Sequence, residues 1–310
     1  MTMPNKLPKN IRISAPVTPF SAKGDFMADA YEEIVRWHLE HGSRGFLVAA
    51  DNGEHWALST KELAQITEIT MRVTKGKVPV YVGAWAITER EAVERATAAA
   101  DAGAYGLCVK PQFYVHSWAP ATEEDIVGRF KAVAHAAPLP MMIYNSYNRT
   151  NVNISHEVLH KICDVTQAEV LKDTNGDANF IMERILQFSS KLCVLVSEKY
   201  FFMGMTLGAG GIIGTDLDLF GHDADRIFEY EKMSVEERQS WQLRINEIGR
   251  AINYFGTIPA AYKAAWNMMG LPAGYLRDPL HPITPDQEAE LRSLMVKWGI
   301  LGKPAVRRSA

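Results

Sequence analysis

Two short apolar segments of this sequence end in residues that could do chemistry together. Residues 141–145 (MMIYN) carry Tyr144, and residues 169–174 (EVLKDT) carry Lys172. A lysine among apolar residues must find a partner or lower its pKa, and the neutral amine that results attacks carbonyl carbons to form Schiff bases. A tyrosine hydroxyl beside the amine could move the protons that this chemistry requires. A lysine that reaches solvent at a strand end, with an ordinary core tyrosine, fits the two segments equally well.

Most of the chain alternates between short apolar segments and longer amphipathic ones. Eight apolar segments have the length and composition of β-strands: residues 11–17, 45–50, 78–83, 106–110, 140–145, 168–173, 192–197 and 211–215. Helical patterns fall between them, among others at residues 28–41, 61–74, 89–102 and 123–136. Ser59 and Thr122, each followed three residues later by an acidic residue, are expected as N-caps. The alternation predicts an α/β fold with a parallel sheet.

Eight such units favour a closed (β/α)8 TIM barrel. An open doubly wound sheet is the alternative, and the lack of a GxGxxG sequence after the first strand weighs against its dinucleotide-binding version. The strand pattern stops after residue 232. Helical patterns follow at residues 235–253, 259–269 and 285–297. We therefore expect a barrel domain over residues 1–232 and a helical subdomain over residues 233–310.

Composition excludes several classes of function. A net charge of −3 without a basic patch argues against nucleic-acid binding. No segment approaches the ~20 apolar residues of a membrane span. Cys108, Cys163 and Cys193 are far apart in apolar surroundings, which indicates free thiols in a reducing compartment and hence a cytoplasmic protein. No metal site is expected, because the compact groups of ligand-type residues at 54–55 and 222–225 lack a second histidine at binding spacing.

Barrel active sites gather where the strands end. Neighbouring strands are about 4.8 Å apart, so inward-pointing Tyr144 and Lys172 could come within hydrogen-bonding range. Lys110 and Lys199 are competing nucleophiles. Pro111 follows Lys110 directly, so we expect Lys110 in a solvated loop, and Lys199 also lies beyond its strand. Lys172 is therefore the preferred nucleophile.

These segments also carry a family resemblance. Residues 144–150 resemble a YNxPxRT motif, residues 171–176 resemble an IKE-S/T-G motif, and residues 50–54 resemble a G-T/S-T-G-E loop. Tyr144 and Lys172 also have the separation typical of these motifs, 28 residues. In this combination the chain resembles the dihydrodipicolinate synthase/N-acetylneuraminate lyase family of class I aldolases over essentially its whole length.

The resemblance implies the roles of several residues. Lys172 would form an imine with pyruvate or another 2-oxo acid, and Tyr144 would relay protons. Asp51 and Asn52 would hold the substrate carboxylate, partly through backbone N–H groups, and the backbone of Ile213 would line the substrate. An iminium is an electron sink, and backbone donors stabilise an anion, so the chemistry agrees. No cofactor is expected.

The sequence also departs from the family pattern. Asp51 and Asn52 replace two hydroxyl residues, so Asp51 must point away from a substrate carboxylate, be protonated, or contact Tyr144, where it could act as a base; a loop-capping aspartate is equally open. Phe113 replaces the second tyrosine of the synthase branch and has no hydroxyl. The three-residue proton relay of that branch is therefore interrupted at two positions.

Two further residues are candidates for contacts with the rest of the substrate. Arg149 matches an arginine that meets the distal carboxylate in the synthase branch, and a loop-bracing role is the alternative. Glu198 falls where sugar-acid lyases of the family carry acidic residues that bind substrate hydroxyls.

The sequence predicts a Schiff-base-forming lyase that cleaves a 2-oxo acid to pyruvate and an aldehyde, or dehydrates it. The first alternative is a dihydrodipicolinate synthase that condenses pyruvate with aspartate semialdehyde. A non-catalytic 2-oxo acid sensor and a metal-dependent barrel hydrolase remain as rivals. The family resemblance also implies a homotetramer or homodimer.

Overall fold

A computed structural model of the chain describes residues 7–114 and 119–302. In it, eight parallel strands close into a barrel in which each strand pairs with the next along the chain and β8 pairs with β1. The prediction of a (β/α)8 barrel is confirmed. The strands are β1 (Ile11–Ser14), β2 (Gly45–Val48), β3 (Val80–Gly83), β4 (Gly106–Val109), β5 (Met141–Asn145), β6 (Ala168–Asp173), β7 (Cys193–Val196) and β8 (Gly211–Gly214).

The strand side chains divide between two apolar cores. Alternate residues point to opposite faces, so Ile11, Ile13 and Met142 fill a core inside the barrel together with Val170. The intervening residues, such as Ile143, pack outward against the surrounding helices. Because both faces are buried, the strands read as nearly continuous apolar segments.

The helices that cover the barrel agree with the predicted segments to within one or two residues. Ser59 and Thr122 form capping boxes with Glu62 and Asp125, as expected. The helices are α1 (Ala28–Glu40), α2 (Thr60–Thr74), α3 (Glu89–Asp101), α4 (Glu123–Ala136), α5 (Tyr147–Thr150), α6 (His156–Val165), α7 (Ala178–Phe188), α8 (Phe201–Thr206), α9 (Val235–Tyr254), α10 (Ile258–Met268) and α11 (Pro285–Lys297). Short 3-10 turns cover His55–Ala57 and Glu198–Tyr200, and a longer 3-10 segment, interrupted at Gly221, covers Leu217–Lys232.

Helices α9 to α11 follow the last strand and pack on the barrel. The ring of Trp266 on α10 lies 4.8 Å from the ring of Trp37 and 4.9 Å from that of His38, both on α1. Lys263 on the same helix pairs with Glu54 in the turn after β2. These contacts attach the C-terminal helices to the barrel; a domain boundary at residue 232 stays a prediction. None of the helices in the described part of the chain combines the length and apolar character that crossing a bilayer requires.

The register of β5 against β6 positions the two residues that the sequence analysis favoured. Tyr144 and Lys172 are direct partners across these strands, and Asn145 faces Asp173 one step further. Because the strands are parallel, both residues sit near the same, C-terminal rim of the barrel. The fold therefore delivers the tyrosine and the lysine to one place.

Candidate active site

A cavity of about 590 Å³ opens at the C-terminal rim of the barrel, between the strand ends and α9. Its walls include seven of the eight residues that the sequence analysis proposed: Asp51, Asn52, Tyr144, Arg149, Lys172, Glu198 and Ile213. The eighth, Phe113, lines a neighbouring cavity of about 440 Å³. Asp51 and Arg149 face both cavities.

Lys172 is buried near the end of β6, with 8% of its surface exposed. Its Nζ lies 4.0 Å from the centre of the Tyr144 ring. The two residues therefore meet face-on, and the hydrogen bond expected between amine and hydroxyl is replaced by contact with the ring. Burial lowers the pKa of Lys172, and the charge of Asp51 opposes this shift without cancelling it. The site thus favours the neutral, nucleophilic amine.

The hydroxyl of Tyr144 joins a short chain of hydrogen bonds. It donates to Oδ2 of Asp51 at 3.2 Å and accepts from Oγ1 of Thr174 at 3.4 Å. Thr174 also bonds the hydroxyl of Ser146 at 3.1 Å. Burial, followed by the charge of Asp51, raises the pKa of Tyr144 to about 12. The resting tyrosine is therefore a phenol and not a phenolate.

Lys110 is part of this site, and its predicted solvated position is wrong. The residue is only 3% exposed, and its Nζ forms an ion pair with Oδ1 of Asp51 at 2.7 Å. The same amine lies 4.3 Å from the ring centre of Trp85 and 4.7 Å from that of Tyr144. Although Pro111 ends the strand, the aromatic rings and Asp51 draw the side chain inward. Proximity in the barrel, which the sequence order does not show, explains the missed assignment.

The sequence analysis left three possibilities for Asp51: pointing away from the substrate, being protonated, or contacting Tyr144. The structure shows the contact with Tyr144. Burial acts to raise the pKa of Asp51, but the ammonium of Lys110, which also donates a hydrogen bond to Oδ1, outweighs burial and holds that pKa well below its usual range. Burial and Lys110 lower the pKa of His55 to about 3, so its ring is neutral near pH 7 although Nδ1 lies 3.4 Å from Asp51. Asp51 is therefore an anion whose charge is matched mainly by Lys110.

The turn after β2 presents backbone donors to the cavity. The N–H groups of Gly53 and His55 both donate to the carbonyl of Ala50, which closes a tight turn. Among the described residues, the backbone N–H groups of Asp51 and Asn52 have no hydrogen-bond acceptor. The turn begins after Ala49, whose φ of 50° is left-handed and unfavourable for alanine. Such a turn can bind an anion without a mobile side chain.

The side chain of Asn52 and that of Glu198 both engage the loop that follows β8. Nδ2 of Asn52 donates to Oγ1 of Thr215 at 2.9 Å. Glu198 accepts the backbone N–H groups of Thr215, Asp216 and Leu217 at 2.8, 3.2 and 2.8 Å. Both oxygens of Glu198 therefore already accept hydrogen bonds from the loop after β8. Fewer lone pairs remain to accept hydrogen bonds from substrate hydroxyls. Burial raises its pKa despite these bonds.

Arg149 and Phe113 lie further from the amine. Arg149 is on α5, just after β5, and lines both cavities. Phe113 packs against the inner barrel core and shares the second cavity with Lys110 and Trp56. At the position that the family resemblance assigns to a second relay tyrosine, this chain has a ring without a hydroxyl. The sequence analysis named Lys110 but set it aside as solvated, and it did not propose Thr174 or Thr215. Thr174, two residues after Lys172 on the same strand face, had a signal in the sequence.

The structure gives ion-pair partners to members of both groups of ligand-type residues. Glu54 pairs with Lys263, and Nδ1 of His222 lies 3.4 Å from Asp225. Within residues 7–114 and 119–302, no three His, Cys, Asp or Glu side chains group closely enough to hold a metal ion.

The comparison with known proteins agrees with this geometry. The model of the dihydrodipicolinate synthetase family matches residues 9–297. The chain belongs to this family. It is 28% identical to a 4-hydroxy-tetrahydrodipicolinate synthase of Nitratidesulfovibrio vulgaris over 93% of this chain and 98% of that protein, and 28% identical to one of Neisseria gonorrhoeae over 92% and 97%.

Solved structures share the fold. A dihydrodipicolinate synthase of Acinetobacter baumannii, crystallised with pyruvate, has a TM-score of 0.85 at 25% identity and covers 95% of this chain and 100% of its own. A synthase of Bacillus anthracis reaches 0.87 at 22% identity, covering 96% and 99%, which shows the fold alone. With its family established, the chain is a class I enzyme of the lyase type that acts through a Schiff base.

Proposed function

We propose that Lys172 captures a 2-oxo acid as an imine and that the enzyme then cleaves or dehydrates this acid. One observation carries the proposal: a buried amine with a lowered pKa faces a tyrosine ring at 4.0 Å on the wall of a large cavity. A neutral lysine amine in that setting is the nucleophile that carbonyl addition requires. Pyruvate is the product that cleavage would release and the simplest probe of the imine, and the Acinetobacter baumannii relative was crystallised with it.

The first step joins Nζ of Lys172 to the carbonyl carbon of the acid. The carbonyl oxygen takes up a proton and becomes the hydroxyl of a carbinolamine. Loss of that hydroxyl as water leaves the iminium, and the hydroxyl of Tyr144 supplies the proton that the departing oxygen needs. Thr174 donates a hydrogen bond to the hydroxyl oxygen of Tyr144 at 3.4 Å, and this bond helps to stabilise the negative charge that develops on the tyrosine.

The carboxylate of the acid is placed at the backbone N–H groups of Asp51 and Asn52. This placement needs the anion of Asp51 to be compensated, because two carboxylates at close range repel each other. Lys110 provides the compensation through its ion pair at 2.7 Å. The backbone of Ile213, 7% exposed on β8, then closes the opposite wall.

Bond cleavage uses the iminium as an electron sink. In cleavage, the Tyr144 phenolate left by imine formation takes the proton of the substrate hydroxyl, the electrons of the breaking carbon–carbon bond flow toward nitrogen, and an aldehyde leaves; the enamine then regains a proton at carbon and the imine is hydrolysed. In dehydration, the iminium lets a neighbouring carbon lose its proton to give the enamine, whose electrons expel the hydroxyl as water before the imine is hydrolysed. Asp51 is a poor base for the phenol of Tyr144. The pKa of the phenol is about 12, whereas that of the carboxylate is well below 3.8, and full transfer across such a gap costs on the order of 10 kcal/mol. Asp51 therefore orients the hydroxyl.

The distal part of the substrate would lie between the loops and α9. Arg149 offers a planar donor for a distal carboxylate. Glu198 is the candidate for a contact with a substrate hydroxyl, through the lone pairs that its hydrogen bonds to the loop leave free.

Trapping the imine tests the proposal. The protein is incubated with pyruvate and borohydride, and the reduced adduct is mapped by mass spectrometry. We expect modification at Lys172, and its loss in Lys172→Met. The matched control is Lys61→Met, an exposed lysine on α2. An adduct at Lys110, or none in the unmodified protein, contradicts the assignment.

Synthase activity is the second candidate, and the names of the curated relatives favour it. In that reaction the enamine of pyruvate would attack aspartate semialdehyde, whose carboxylate Arg149 would hold. Phe113 lacks the hydroxyl of the second relay tyrosine, which favours cleavage or dehydration. Turnover of pyruvate and aspartate semialdehyde at about 1 s⁻¹ or faster would establish the synthase. Pyruvate release from a panel of 2-oxo-3-deoxy sugar acids and aromatic 2-oxo acids would establish the lyase.

A pyruvate sensor would show binding without turnover of any of these substrates, and binding that Lys172→Ala leaves unchanged.

We also infer a homodimer or homotetramer, which light scattering tests. A cytoplasmic location is consistent with the free thiols of Cys108, Cys163 and Cys193.

A further inference from the structure

Two amines and a single carboxylate meet around the ring of Tyr144. Nζ of Lys110 lies 4.7 Å from the centre of this ring, and Nζ of Lys172 lies 4.0 Å from it. Both lysines are buried, and Asp51 contacts the tyrosine hydroxyl. One carboxylate can neutralise one ammonium. Because a second buried ammonium without an anion is strongly unfavourable, one of the two amines is expected to be uncharged.

The contacts decide which amine that is. Oδ1 of Asp51 lies 2.7 Å from Lys110, and Oδ2 accepts the hydroxyl of Tyr144 at 3.2 Å. Both oxygens of the carboxylate are therefore engaged away from Lys172. Among the residues that the structure describes, no carboxylate lies within ion-pair distance of the Lys172 amine.

We propose that Lys110 is a positioning residue of the imine chemistry: it holds the carboxylate of Asp51, so that Lys172 has no anion to pair with and stays an uncharged nucleophile. This inference rests on the proposed function, because it concerns the amine that captures the 2-oxo acid. Lys110 and Lys172 thereby have opposite roles although both end barrel strands. The ion pair between Lys110 and Asp51 therefore selects Lys172 as the reactive amine.

The surroundings of Lys172 show why Asp51 is the anion that matters. Besides Asp51 and Lys110, the titratable and charged groups around it come from β4, β5, α5 and the turn after β7: Cys108, Tyr144, Arg149 and Glu198. Burial raises the pKa of Cys108 to about 12, so this thiol is neutral. Arg149 disfavours a charge on Lys172, and Glu198 is engaged by three backbone N–H groups. Removing Lys110 would therefore leave Asp51 as the anion free to pair with Lys172.

Two measurements on the full chain test the proposal. Competitive labelling with acetic anhydride, read by mass spectrometry, follows the protonation of Lys172 against pH without any substrate. Borohydride trapping with pyruvate follows imine formation over the same range, from about pH 6 to about pH 10. The variants are Lys110→Met, Lys110→Arg, Asp51→Asn and the double variant Lys110→Met/Asp51→Asn, with Lys61→Met as the matched control.

In Lys110→Met, the freed carboxylate should raise the labelling midpoint of Lys172 by about one pH unit or more. Trapping near neutral pH then becomes about tenfold slower and recovers at high pH. Removing Asp51 as well should return the midpoint to the unmodified value or below it. Lys110→Arg, which keeps the ion pair, should stay close to the unmodified protein. Asp51→Asn alone should lower the midpoint.

Other outcomes overturn the proposal. An unchanged midpoint in Lys110→Met refutes it, as does a double variant that labels and traps as poorly as Lys110→Met at every pH, since that behaviour indicates a structural role. Should circular dichroism show that Lys110→Met is unfolded, an unchanged midpoint in Asp51→Asn refutes the proposal instead. Absence of a pyruvate adduct in the unmodified protein refutes the proposed function, while the labelling still decides whether Lys110 controls the charge of Lys172.

Discussion

Replacing Lys263 with methionine should destabilise the protein and slow imine formation, because Lys263 neutralises the buried carboxylate of Glu54. Nζ of Lys263 lies 2.5 Å from Oε1 of Glu54, and the two side chains are 3% and 0% exposed. The other oxygen of Glu54 accepts the backbone N–H of Arg277 at 3.0 Å. Glu54 belongs to the turn that carries Asp51, so this ion pair connects α10 to the site.

The expected cost follows from the burial of both partners. Removing one member of a buried ion pair leaves an uncompensated charge and typically costs about 3–5 kcal/mol of the free energy of unfolding. At about 2 °C per kcal/mol for a chain of this size, the melting temperature should fall by about 6–10 °C. In the double variant Glu54→Gln/Lys263→Met no charge remains buried, and the amide can still accept the N–H of Arg277. We expect a loss of no more than about 2 kcal/mol there.

Urea unfolding followed by circular dichroism measures these free energies as a double-mutant cycle. The coupling between Glu54 and Lys263 should be at least about 2 kcal/mol. Trapping with pyruvate should be slower in Lys263→Met than in the double variant, because an unpaired Glu54 disturbs the turn that carries Asp51. Additive losses below about 1 kcal/mol for each single variant would show that the pair is solvated and that the argument from burial is wrong.

Three further predictions concern other contacts of the site and its surroundings. Tyr144→Phe keeps the ring over Lys172 but should slow pyruvate trapping by about 10²-fold, because the proton donor is lost; a rate within threefold of the unmodified protein would contradict this role. Glu198→Gln should increase hydrogen exchange at residues 215–217, because their N–H groups now bind both oxygens of the carboxyl group and an amide offers only one; unchanged exchange would mean that the second oxygen is not needed. The pKa of Glu62 is lowered to about 2, first by its hydrogen bond to an arginine. Its contribution to stability is therefore present above about pH 4.5 and is lost as pH falls toward 2. In Glu62→Gln, the free energy of unfolding should depend less on pH between these values.

The local features of the fold were predictable because they depend on neighbours in the sequence. Strands buried on both faces must be apolar, and eight such segments separated by helices predict a closed barrel. The N-caps at Ser59 and Thr122 need only a residue three positions away, and both were predicted correctly. The ends of the elements were the least certain part, because hydrogen bonds that end a strand come from a neighbouring strand.

The site was predictable where a role depends on residue type and position in a strand. Tyr144 and Lys172 follow from their place near the ends of apolar segments, and the chain's motifs led to its family. Lys110 was misplaced because its burial depends on Trp85 and Asp51, which follow two other strands of the barrel. No local pattern marks such a contact.

By itself, the sequence determined the barrel, the family and the two residues best suited to Schiff-base chemistry. Only the tertiary structure decided how the charges are shared: Asp51 pairs with Lys110, and no carboxylate of the described residues lies within ion-pair distance of Lys172. The reason is physical. Periodicity and composition act along the chain, whereas the protonation of a buried amine depends on which anion lies within a few ångströms, and closure of the barrel sets that distance.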